Sequence, residues 1–67
     1  MLKNLEAERA RLQMTKMEVA KEIGVSAKTY TSYVTEKTPI PSDVLMTLAR
    51  LFMCRADYLL GITDNRS

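Results

Sequence analysis

The sequence holds no histidine, no tryptophan and a single cysteine, Cys54, in 67 residues. Each absence closes a class of function. One thiol forms no internal disulfide, so a reducing, cytoplasmic setting fits. With no histidine and one thiol, no metal site is expected. The usual acid–base and nucleophilic apparatus is missing, and a chain this short rarely closes a substrate pocket. An enzyme is therefore the poorest expectation, and neither a cofactor nor a small-molecule ligand is expected. No apolar run approaches the ~18 residues of a membrane span, so no membrane partner is expected. The first eleven residues carry Lys3, Glu6, Glu8, Arg9 and Arg11, which is no secretory signal.

What is present is globular: 46% hydrophobic and 27% charged residues. The length allows one domain at most, and a chain of this size buries only about 60% of its unfolded surface. Ten Lys and Arg against eight Asp and Glu leave a net charge of +2. The excess is local. Residues 1–37 hold Lys3, Arg9, Arg11, Lys16, Lys21, Lys28 and Lys37 against five glutamates, while residues 38–67 balance. Any basic face belongs to the first half.

The punctuation reads as five short helices with no strand pattern and no repeat. The first covers about 4–12, capped by Asn4, with Leu5 and Leu12 seven apart. The second opens on a capping box, Thr15-Lys16-Met17-Glu18, buries Val19, Ala20 and Ile23, and stops at Gly24. The third begins at Ser26, a plausible N-cap, with Tyr30, Tyr33 and Val34 sharing a face. Only Val25 separates Gly24 from Ser26. Helices joined by so short a turn cannot lie antiparallel and must cross steeply, as in a helix-turn-helix. Pro39 and Pro41 interrupt the chain over 35–41. The fourth helix, about 42–52, carries a buried stripe of Val44, Leu45, Leu48, Leu51 and Phe52. The fifth, about 56–60, ends at Gly61, and residues 62–67 are expected to form a loose tail. The fold expected is all-α: a compact five-helix orthogonal bundle over 4–61, with the helix-turn-helix at about 15–34.

Three stretches resemble the phage-repressor, Cro/Xre-type family. TKMEVAKEIGVS at 15–26 is similar to the family's T-Q-x-E-x-A-x-x-(L/I)-G-V-S. TYTSY at 29–33 is similar to TYSNY, and DYLLGITDN at 57–65 to the DYLLGRTDN ending of many small Gram-positive and phage regulators. The match runs ungapped over 4–65, nearly the whole chain. It implies a lambda-repressor-like domain acting as a sequence-specific, double-stranded-DNA-binding transcriptional regulator, most simply a cytoplasmic repressor of bacterial or phage origin. Met1 and the loose end suggest a complete small regulator. The recognition helix, 26–34, would enter the major groove and present Ala27, Lys28, Thr31 and Ser32 to base edges. Thr15, Lys16, Met17, Ser26, Lys37, Thr38 and the phenol of a half-exposed Tyr33 would meet the DNA backbone. Tyr30 and Val34 would pack inward. A homodimer on a pseudo-palindromic operator would use Leu59, Leu60 and Ile62. A base-reading set without Arg, Asn or Gln implies modest direct readout, with DNA shape sharing the task.

The chain departs from the family pattern at four positions. Lys16 stands for the usual Gln. Val34 replaces the glutamate that pairs with the arginine matching Arg9, leaving Glu6 or Glu36 as substitutes. Glu36 replaces the glycine after the recognition helix, so either it holds a strained positive φ or the loop is rebuilt around the two prolines. Arg55 replaces the serine cap of the fifth helix. Glu36, Lys16 and the low net charge favour the alternative, a protein-interaction module of antirepressor or antitoxin-like kind. A cation at a helix start that lacks a side-chain acceptor costs about 0.5–1 kcal/mol. Arg55→Ser is therefore expected to raise the midpoint of a thermal melt by a few degrees; a lower midpoint would show that Arg55 holds a partner.

Overall fold

A computed structural model describes residues 1–66 of the chain. Five helices follow one another: α1 (Lys3–Arg11), α2 (Lys16–Glu22), α3 (Ala27–Val34), α4 (Ser42–Phe52) and α5 (Ala56–Leu59). No strand forms among the described residues. The chain thus has the all-α class expected of it.

The local signals act as their chemistry requires. Thr15 Oγ1 accepts from the Glu18 amide at 3.1 Å, and Glu18 Oε1 accepts from the Thr15 amide at 2.7 Å, which completes the capping box. Ser26 Oγ accepts from the Thr29 amide at 3.1 Å and starts α3. Asn4 does not cap α1. That helix begins one residue earlier, behind Leu2, and Asn4 donates instead to the Tyr58 carbonyl at 2.8 Å. The reason is tertiary: Leu2 is buried and its amide donates to the Val34 carbonyl at 2.8 Å, which draws the start of α1 onto the end of α3.

The core gathers one or two side chains from each helix: Leu5, Val19, Ala20, Tyr30, Val34, Leu48, Phe52 and Leu59. Leu12 lies just past α1 and is exposed, so the seven-residue spacing from Leu5 does not carry it inside. α2 packs chiefly on α3, α4 on α5, and α1 touches both α3 and α5.

All five helices end the same way. The residue after the last turn adopts a left-handed conformation, and the next amide reaches back to a carbonyl five residues earlier. Examples are Val25 to Ala20 at 2.9 Å and Ile62 to Asp57 at 2.9 Å. Gly24 and Gly61 take two of these positions, and Gln13, Glu36 and Met53 take the rest with φ between 53° and 64°. Of the two alternatives open at Glu36, the strained positive φ is the one adopted, and it recurs at two more non-glycine residues.

The tail expected to be loose is anchored, although its last residue, Ser67, lies outside the described residues. Arg66 donates to both oxygens of Glu8 at 2.9–3.0 Å and to the Phe52 carbonyl at 2.7 Å. Its own carbonyl accepts from the Arg55 amide at 3.0 Å. Arg11 also binds Glu8, at 3.0 Å, so a carboxylate only 3% exposed is shared by two guanidinium groups. A single arginine near the chain end was too faint a sequence signal to reveal this clamp.

Gln13 gains nothing from its side chain in the left-handed region, and a Cβ there costs energy that glycine avoids. Gln13→Gly is expected to stabilise the fold by about 0.5–1 kcal/mol in denaturant titration despite the greater freedom of glycine in the unfolded chain.

Candidate nucleic-acid interface

The turn between α2 and α3 determines what the motif presents. Ala20, buried where the helices meet, lets them approach, and Gly24 at φ +75° lets the chain reverse within four residues. Tyr30 and Val34 face inward as expected and are both buried.

Tyr30 does more than fill space. Its hydroxyl donates to Glu6 Oε2 at 2.7 Å. Arg9 grips the same carboxylate from Nε at 2.9 Å and from Nη2 at 3.1 Å, while its Nη1 donates to the Met14 carbonyl at 2.7 Å. One network thereby joins α1, the middle of α3 and the residue just before the α2 capping box. Of the two substitutes open to Arg9, Glu6 is the one used. Glu36 is occupied elsewhere, by the Met1 ammonium at 2.7 Å. The guanidinium of Arg9 and the Tyr30 hydroxyl hold the Glu6 carboxyl below its usual range against the opposing effect of burial, and burial together with Glu6 pushes the Tyr30 phenol up.

The four positions expected at base edges occupy α3. Lys28 is exposed, and Ala27, Thr31 and Ser32 are partly so. The hydroxyls of Thr31 and Ser32 donate back to the carbonyls of Ala27 and Lys28 at 3.0 and 3.2 Å. That leaves their oxygens free chiefly to accept. The positions expected at the DNA backbone divide. Lys16, Met17, Lys37 and Thr38 are exposed. The Thr15 and Ser26 hydroxyls are committed to capping, and the Glu18 carboxylate sits at the start of α2. Bonds from the backbone and hydroxyl of Thr15 keep that carboxyl ionised below its usual range.

Two expectations are corrected. Tyr33 is not half-exposed: it is 6% exposed, beneath a hollow of about 350 Å³ whose walls include Leu2, Ile40 and Leu60. Thr38, Pro39 and Ile40 of the loop that carries the two prolines line the same hollow. Leu59 is not a surface residue either. At 1% exposed it belongs to the core, whereas Leu60 and Ile62 do reach solvent. Leu59 is the fully buried residue of α5, and Tyr58 packs partly buried against the same core.

The cations separate by chemistry. Arg9, Arg11, Arg55 and Arg66 all sit in ion pairs. Among the described residues Lys16, Lys28 and Lys37 make none, and neither do Lys3, Lys21 and Arg50. Three free ammonium groups thus lie at the start of α2, the start of α3 and the loop after α3. Cys54 is half-buried, and burial pushes its thiol up rather than toward the reactive thiolate.

A family model described as helix-turn-helix matches residues 5–59. The chain belongs to the Cro/Xre-type helix-turn-helix family. It is also similar to YobD of Bacillus subtilis strain 168, which is described as an uncharacterized helix-turn-helix-type transcriptional regulator. The two are 38% identical over 53 residues, covering 79% of this chain and 47% of the relative. The chain therefore spans about half the length of the curated relative it matches. No helix of the described residues is long and apolar enough to cross a membrane.

Glu6 and Glu8 both titrate below the ordinary glutamate value of 4.5, Glu6 through Arg9 and Glu8 through Arg66. A carboxyl whose folded pKa lies below its unfolded one stabilises the fold fully above the unfolded value. That stability is lost as pH falls through the depressed folded value. Acid titration followed by circular dichroism should leave the helix signal flat down to about pH 4.5 and lower it only below that. In Glu8→Gln the low-pH loss of stability should shrink.

Proposed function

We propose that this helix-turn-helix chain is a DNA-binding transcriptional regulator that recognises a specific double-stranded sequence and represses by occupying it. The observation that carries the proposal is the set of exposed, unpaired lysines at the motif, Lys16, Lys28 and Lys37, while Arg9, Arg11 and Arg66 are absorbed into the fold. α3 enters the major groove. Lys28 donates to a guanine edge, Thr31 and Ser32 accept from base amino groups, and Ala27 offers a methyl to thymine. Lys16, Met17, Lys37 and Thr38 meet phosphates. Thr15 and Ser26 serve by shaping the helix starts, and Tyr33 by holding the loop that carries Lys37. The Met1 ammonium beside Glu36 offsets a charge that would otherwise repel the duplex.

Few base-reading side chains make one copy a weak binder. A homodimer on a pseudo-palindromic operator, half-sites about one helical turn apart, doubles them. Leu60 and Ile62, the exposed members of the expected dimer surface, supply the contact. The mechanism is steric and takes place in the cytoplasm, where the operator lies.

Selection of bound duplexes from a randomised library at about 150 mM salt tests the proposal. Enrichment of a two-fold symmetric motif is the expected result. A folded protein that enriches nothing points to the fold's use in binding protein instead. Against the selected duplex, Lys28→Ala is expected to cost about 1–3 kcal/mol and to relax preference at one base pair. Equal weakening on every sequence would reassign Lys28 to phosphate.

A further inference from the structure

The end of α4 and the turn into α5 form a shallow groove of about 320 Å³, lined by Met46, Ala49, Arg50, Met53, Cys54 and Arg55. Two of these residues are poor choices for the fold. Met53 ends α4 at φ +53°, where glycine is unstrained, and its side chain is 81% exposed, so it packs on little of its own chain. Arg55 starts α5 with no side-chain cap bond and places a cation at the positive end of a helix. Met53 returns little packing to the fold and Arg55 only a half-exposed contact with Asp57, and both side chains line the same groove. Local rules broken together at one surface mark a surface selected for something besides folding.

The chemistry of the groove states what it fits. Met46 and Met53 supply flexible, polarizable thioethers that adapt to apolar side chains of varied shape. Arg50 makes no ion pair among the described residues, and Arg55 makes only a 3.3 Å contact with Asp57 in which both side chains are about half exposed. The groove is therefore apolar with a cationic rim. A second copy related by a two-fold axis would set these arginines against their own counterparts. A carboxylate-bearing partner meets them with opposite charge. We propose that this groove docks an amphipathic helix of another protein, with an apolar row flanked by Asp or Glu side chains. It shares no residue with the proposed DNA face, and the proposal does not depend on the DNA reading.

The five methionines offer a direct test. In protein carrying carbon-13 at the methionine methyls, each methyl reports its own surroundings. The probes are synthetic helical peptides of roughly 18 residues, five turns, with a leucine row flanked by glutamate, and the same peptides with lysine in place of glutamate. The glutamate peptides should shift Met46 and Met53 while leaving Met17, which is also exposed, in place, and added salt should weaken the effect. Met53→Gly should raise the melting midpoint yet weaken peptide binding about tenfold or more, an opposition that a purely structural role cannot produce. Arg50→Glu combined with Arg55→Glu should reverse the preference toward the lysine peptides. Several results would overturn the proposal: no shift at Met46 and Met53, equal shifts with the lysine peptides, or unchanged binding by Met53→Gly. Shifts that grow with protein concentration alone would assign the groove to a second copy, and shifts caused by duplex DNA would assign it to phosphate; both refute a protein partner.

Discussion

The geometry of the motif rests on one hydrogen bond, from the Tyr30 hydroxyl to Glu6 at 2.7 Å. The tyrosine is the largest fully buried side chain and lies midway along α3. A phenol buried that deeply needs an acceptor, because an unsatisfied hydroxyl in a dry core costs about 1–3 kcal/mol. Glu6 supplies it, and a carboxylate drawn inward then needs a cation, which Arg9 supplies. Arg9 also donates from Nη1 to the Met14 carbonyl, one residue before the α2 cap. The demand of one buried hydroxyl is thereby passed outward until it fixes where α2 begins relative to α3, and that relation is what a groove in DNA would meet.

A second cluster, around Glu8, does for the end of the chain what Glu6 does for the motif. The two carboxylates lie two positions apart on α1 and serve different neighbours: Glu6 binds Arg9 and Tyr30, while Glu8 binds Arg11, Arg66 and Tyr58. In so short a chain the apolar core is small, and ion pairs built on the partly buried Glu6 and the buried Glu8 add to its organisation. The same arrangement sorts the cations. Guanidinium groups, planar and multiply donating, are used where a carboxylate and a carbonyl must be bridged at once. The lysine ammonium groups, with Arg50, are left outside, where a mobile charge suits a phosphate as well as it suits water.

Economy of length also explains the helix ends. Helices of four to eleven residues joined by short turns must reverse at once, and every reversal uses one left-handed residue. Two are glycines. Glu36 draws some return through the Met1 ammonium, whereas Gln13 and Met53 draw none from the fold. For Met53 that imbalance coincides with a groove of matching chemistry, which turns a local anomaly into a site.

Most of the fold was legible in the sequence. The capping box, Gly24, Ser26 and the stripe of α4 are local signals, decided by residues within a turn of one another, so their chemistry is readable without a third dimension. That Lys28, Thr31 and Ser32 lie on the outer side of α3 was legible for the same reason, since position on a helix follows from spacing alone. What the sequence could not settle are relations between distant residues: Leu2 rather than Asn4 beginning α1, Glu6 rather than Glu36 holding Arg9, Tyr33 closed beneath the proline loop, Leu59 turned inward, and Arg66 clamped to Glu8 across 58 positions. Sequence by itself determined where the chain turns from α2 into α3 and where α4 begins and ends. Only the tertiary structure decided which charges are spent and which stay free, because an ion pair depends on distance in space, and distance in space is set by how the helices pack.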